Sequence, residues 1–228
     1  MRQVNLIKQE LRFIVRYGIV LMYVFFILFY VILLSVIPEE IKTITGTILI
    51  FTDPAAMGLF FMGAIVLLEK SQRVNCSLAV SPITIREYIV AKIVSLMIMG
   101  ILIGLILSIV CGNMHLIRTA AAIGLSSAIF SFWALIIAQK TESLNEFMIG
   151  TIPCEIIICS PAILYLFGVI RHDLWMLHPG VAAIRLLEGT KEHEMLCLLA
   201  LMFWVMVSYI FSYKSTTVYF KKMGGGKL

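Results

Sequence analysis

Charge is scarce in this chain. Of 228 residues only 14% are Asp, Glu, Lys or Arg, while 61% are hydrophobic and the mean hydropathy is +1.02. A soluble domain of this length needs a far more polar exterior, so that class is excluded. Catalytic signatures are missing too. His193 and Glu194 in "KEHEM" do not complete a His-Glu-x-x-His zinc site, and no Gly-x-Ser-x-Gly nucleophile elbow occurs. The tail "MGGGKL" supplies glycines and a lysine but lacks the Ser or Thr of a phosphate-binding loop. The cysteines (Cys76, Cys111, Cys154, Cys159 and Cys197) show no paired ligand spacing. Four of them fall in or beside apolar runs, where cysteine behaves as a small hydrophobe. The histidines, three of them within residues 170–194, form no metal set. The net charge of +5 does not imply nucleic acid, because in so apolar a chain the distribution of charge matters more than its total.

What the chain does have is long apolar runs. Six, at about 17–37, 48–68, 93–111, 118–138, 147–169 and 195–213, suffice to cross a hydrocarbon core of roughly 30 Å at about 20 residues each. Each should be a helix, since an isolated strand would leave its backbone polar groups unpaired in lipid. The expectation is therefore an all-α integral membrane protein with six transmembrane helices. The first run, Tyr17 to Ile37, is too long for a signal-peptide core and has no cleavage site after it, so it is expected to remain.

Lysine and arginine set the orientation. The N-terminal segment, the second and fourth loops and the tail carry 13, the opposite side 5. This bias places both termini in the cytoplasm, with the protein in the plasma membrane. Residues 1–16, "MRQVNLIKQELRFIVR", set Val4, Leu6, Ile7, Leu11, Ile14 and Val15 among basic residues, a pattern suited to an interfacial helix. Residues 170–194 form the longest external piece: Trp175 and His178 suit a membrane–water interface, and Pro179 opens a short helix that Gly189 closes, expected to be a partly embedded external helix. Residues 214–228 read as a basic cytoplasmic tail.

The densest mixed charge lies in the second loop, residues 69–92. Glu69, Lys70, Arg73, Arg86, Glu87 and Lys92 arrive within 24 residues. Ser81-Pro82 and Thr84-Ile-Arg-Glu87 are alternative helix starts feeding the third run. A plain reverse turn needs only a few residues, so this stretch reads as a docking surface, with apolar Val74 and Leu78 as anchors and Arg73 and Asn75 as a polar rim.

Polar residues inside apolar runs are few. Asp53 either caps its helix, with Pro54 in the first turn, or lines an external gate. Glu155 lies in the fifth run between Pro153 and Pro161 and is expected to face the bundle or a dimer cavity. Gly100 and Gly104 form a Gly-x-x-x-Gly pair for close helix packing. The 13 methionines suit gap filling or a malleable cavity.

The ordered set in "LLEKSQRVNCSLAVSPITIREYIVAK" consists of an acidic end to the second run, a short amphipathic piece, then Ser-Pro-Ile and a Tyr-containing helix start with lysine. It resembles ABC-2-type transporter permeases. The upstream "FTDPAAMGLFFMGAIVLLEK" is similar to drug-export members, fluoroquinolone-type ones included. The resemblance implies a coupling helix at Arg73 to Ala79 that rests on an ATP-binding subunit. Glu69, at the end of the second run beside it, and Arg73, Val74, Asn75, Ser77 and Leu78 would make the contact. A second, smaller contact would come from "AQKTESLNEF". It further implies a second permease copy or sister permease, surrounding membrane lipids, and no cofactor on this chain, with ATP and magnesium held by the partner. The function so implied is export of a hydrophobic or amphipathic drug, antimicrobial peptide or lipid. Two rivals remain: a substrate-capture subunit of a vitamin-type importer, which would dock through its membrane helices, and an intramembrane enzyme, for which the motifs are wanting.

Overall fold

Helix α1 (Arg2–Arg16) carries the amphipathic stripe and ends where Gly18 takes a left-handed backbone (φ 72°), a conformation open to glycine at little cost. The chain then turns into α2 (Ile19–Val36). The computed structural model describes residues 2–74, 83–112, 115–170, 172–189 and 193–222, and within helix α3 it leaves the side chains of 53–57 aside. The remaining helices are α3 (Glu39–Ser71), α4 (Ile85–Val110), α5 (Leu116–Lys140), α6 (Leu144–Leu166), α7 (Pro179–Glu188) and α8 (Glu194–Lys222), with a 3-10 helix at Asp173–Leu177. The protein is all-α, with no strand among the described residues. Among the described residues five helices (α2, α4, α5, α6 and α8) are long and apolar enough to cross a bilayer. The predicted 48–68 run lies within the 33-residue α3.

Helix α5 occupies the centre, against α3, α4 and α8, with α6 and α7 also touching it. Many of its buried residues are small, among them Ala122, Gly124, Ser126, Ser127, Ala128, Ser131 and Ala134, interleaved with larger ones such as Ile129 and Phe130. Small side chains let backbones approach, and in lipid, where apolar surface gains nothing by leaving the tails, close packing is what holds helices together. Helix α8 answers with Ser208, Ser212, Thr216 and Phe220, spaced by four and buried on one face. By contrast α2 buries only Ile19, Tyr23 and Leu34 and exposes Leu21, Phe25, Leu28, Phe29 and Ile32 outward.

Several boundaries depart from the sequence expectation. Helix α3 starts at Glu39, with Pro38 as its N-cap, so residue 53 lies inside the helix and does not cap it. The last helix does not stop at 213. It runs to Lys222 because Thr216 and Phe220 still find partners in the bundle. Helix α7 does open at Pro179 and close at left-handed Gly189 (φ 75°). It is embedded in the bundle, with Val181, Ala182, Ala183, Ile184 and Leu187 almost wholly enclosed. Gly180 explains the fit: a Cβ there would lie 2.1 Å from the Ile158 carbonyl oxygen of α6.

Candidate functional site

The 69–92 segment leaves α3 and enters α4, and both of its flanks are tied down. At the entry to α4 the choice between helix starts falls on Thr84. Its Oγ1 accepts from the Glu87 backbone N–H at 3.3 Å, while the Glu87 carboxylate accepts from the Thr84 N–H at 2.9 Å. This reciprocal capping box satisfies two otherwise orphaned donors. Ser81 and Pro82 lie outside the described residues.

Behind that cap is a buried charge cluster. Lys92, on α4, is 1% exposed, and its Nζ donates to Glu69 at the end of α3 and to both carboxylate oxygens of Glu10 on α1 at 3.2 and 3.3 Å. Tyr88, one turn earlier on α4, donates its hydroxyl to Glu69 Oε2 at 3.2 Å. A lone buried charge costs several kcal/mol, roughly, in real proteins. Here each charged group is paired, and the pairing fixes three helices in one register. Arg2 adds an outer ion pair to Glu87 at 3.7 Å, and Tyr17 hydrogen-bonds Gln72 at the end of α3.

A second set of contacts carries the same region across to α5 and α8. Lys70 Nζ donates to the carbonyls of Gln139 and Thr141 at 3.1 and 2.7 Å, meeting the last carbonyls of α5 where a cation is favoured. Lys70 also lies over the Tyr219 ring, and Arg86 over the Tyr213 ring. Gln139 donates to Thr216 at 2.9 Å and accepts from Ser215 at 3.0 Å. Tyr88 meets Phe220 edge to face. The root of the 69–92 segment is thus keyed to α1, α3, α4, α5 and α8 together.

The expected contact residues are distributed differently from one another. Glu69 is 4% exposed and committed to Lys92 and Tyr88, so it cannot itself meet a partner's surface. That corrects its expected role, and the reason is the cost of leaving Lys92 unpaired. Arg73 is the turn residue after α3, in left-handed backbone (φ 54°), so no α-helix begins on it. Val74 is half-buried over a cavity of ≈ 180 Å³ that Glu10, Phe13, Glu69 and Tyr88 also line. Asn75, Ser77 and Leu78 lie outside the described residues, as does the Asp53 side chain. Gly100 is buried on α4, and a Cβ on Gly104 would meet the tip of Ile123 at 2.0 Å, which marks a tight α4–α5 contact. Glu155 is half-buried on α6, and its Oε1 has no hydrogen-bond partner among the described residues.

Lys92 is part of the charged segment, but its pairing with Glu10 is not read there from the sequence, though a signal exists. Glu10 is placed four residues from both Leu6 and Ile14, on the apolar stripe of α1, where a carboxylate needs a buried cation.

Two hollows flank α5 elsewhere. One, of ≈ 510 Å³, is walled by Ile129, Ile137, Pro153, Ile157 and Trp204, with His178 at one end, a side chain held below its ordinary pKa by burial. The other, of ≈ 770 Å³, lies between α5 and α8.

Residues 1–222 match the fluoroquinolones export permease protein family. The chain belongs to that family. It is also 23% identical over 167 residues to two fluoroquinolones export permease proteins of Mycobacterium tuberculosis, from strains CDC 1551 and H37Rv. The match covers 72% of this chain and 70% of each relative. No solved structure matches. A permease of this family is a multi-pass membrane protein that serves as a transport component, which accords with the helices described above.

Proposed function

We propose that this chain is the membrane-spanning subunit of an ATP-driven exporter of the ABC-2 type. Its 69–92 segment is the foot on which a separate ATP-binding subunit pushes. The observation that carries the reading is the buried Glu69–Lys92–Glu10 cluster. It joins both flanks of the segment to the bundle, so a displacement there would move helices and not merely a loop. Both termini and this segment face the cytoplasm, as the basic bias favours.

The cargo is an amphipathic, largely apolar molecule of the fluoroquinolone kind, the class named for the two mycobacterial relatives. ATP and magnesium reside on the partner chain. Two permeases pair, as copies of this chain or with a sister, and the apolar outward faces of α2 and α6 are the surfaces free to meet lipid or that second subunit. ATP shifts the inward–outward equilibrium by binding one state better than the other. The vitamin-type importer reading predicts a complex that survives deletion of residues 73–79.

The test is reconstitution with the ATP-binding subunit and measurement of drug-stimulated ATP hydrolysis. Replacing Arg73 with Glu together with Leu78 with Asp should cut that stimulation by about tenfold or more, the scale of a lost interface anchor. Unchanged stimulation would refute the docking role.

A further inference from the structure

The ≈ 770 Å³ groove between α5 and α8 has a chemistry that drug export does not use. Its rim holds Lys140, Lys214 and Lys222, and its wall is Trp133, Phe211 and Val218. None of the three lysines forms a salt bridge among the described residues. Among the described residues the lining holds one acidic residue, Glu142, against those three lysines, so its charge is net positive. Trp133 and Phe211 stack at 6.1 Å, forming a flat apolar wall deeper along the same two helices. Lys214 and Lys222 are eight residues apart on α8, a rise of roughly 12 Å, so the cationic rim spans the depth of a headgroup region. On the other side of the Trp133 ridge is the ≈ 510 Å³ hollow, whose lining shares Trp133, Ile136 and Lys140 with the groove.

We propose that this groove is a binding site for an anionic diacyl phospholipid. The phosphate rests among Lys140, Lys214 and Lys222, and the two acyl chains lie on either side of Trp133. Charge complementarity selects an anionic over a zwitterionic headgroup, since basic pockets between membrane helices gain most from net negative lipid. The paired hollows select two chains over one. Lipid bound here would brace the same helix ends, α5 and α8, that Gln139, Thr216 and Tyr219 tie to the root of the 69–92 segment. The proposal rests on the reading that these helix ends lie at a membrane surface, but not on which surface.

The test uses full-length protein with Trp175→Phe and Trp204→Phe, which leaves Trp133 as the single tryptophan, in nanodiscs that expose both leaflets. Brominated phosphatidylglycerol should quench Trp133 at a severalfold lower mole fraction than brominated phosphatidylcholine. Each of Lys140→Gln, Lys214→Gln and Lys222→Gln should reduce that preference by about fivefold or less, and high salt should reduce it further. Equal quenching by the two lipids would overturn the proposal. So would displacement by inorganic phosphate, which would mark a free-anion site, or equal binding of a one-chain lysolipid. Circular dichroism confirms that each variant keeps its helices. Because nanodiscs are blind to orientation, failure here leaves the export reading standing, and loss of ATP coupling without loss of lipid preference fails only the latter.

Discussion

Lys92 is the residue on which most depends. It lies in nearly complete burial between two carboxylates from different helices. Lys92→Met should lower stability by about 3–5 kcal/mol, the cost of leaving buried charges uncompensated. Adding Glu69→Gln and Glu10→Gln should recover most of that loss, because the stranded carboxylates are then gone. Thermal unfolding in detergent checks both, and a neutral Lys92→Met would contradict the pairing. Glu155 makes a different case. With Oε1 unpartnered among the described residues in a half-buried site, Glu155→Gln should leave stability within about 1 kcal/mol, as isosteric loss of an unpaired charge costs little. It should, however, reduce efflux of cationic drugs. Unchanged export of every cation tested would remove Glu155 from the path.

At the scale of elements, glycine contacts separate firm packing from yielding packing. A methyl on Gly180 meets the Ile158 carbonyl, which belongs to the backbone of α6, whereas one on Gly104 meets only the flexible end of Ile123. Gly180→Ala should therefore cost about 3 kcal/mol or more, and Gly104→Ala about 1 kcal/mol, within the range for overpacked cores. Chemical denaturation of the two variants reads the order, and the reverse order would refute this account of how α7 docks. The helices themselves were legible, because the hydrocarbon thickness imposes a length that apolar runs must meet. So was α7, through Pro179 and Gly189. Three boundaries were not. Helix α3 reaches back to Glu39 and α8 forward to Lys222 since polar residues continue a helix as readily as apolar ones once tertiary partners exist, and hydropathy stops at the lipid edge. The start of α4 was ambiguous between two caps that local sequence scores alike, and the Thr84–Glu87 reciprocal bonds decide it. The inward turn of Glu69 and Lys92 depends on which helices meet, and no single run contains that information.

For the molecule as a whole, the cluster and the Lys70 contacts make one rigid junction from five helices. If that junction transmits force, then the Glu10→Gln, Glu69→Gln, Lys92→Met triple variant should fold and let its partner hydrolyse ATP, yet export less drug per ATP consumed. Normal export per ATP would show the cluster to be structural only. The central proposal is more basic: that the energy arrives from a separate motor gripping the 73–78 stretch at the inner face. Cys76, inside that stretch, is a native probe once Cys111, Cys154, Cys159 and Cys197 are changed to serine. A membrane-impermeant maleimide should fail to label Cys76 in intact cells, label it in inverted vesicles, and be blocked there when the ATP-binding subunit is bound. Labelling from the outside of intact cells, or labelling indifferent to that subunit, would contradict the account.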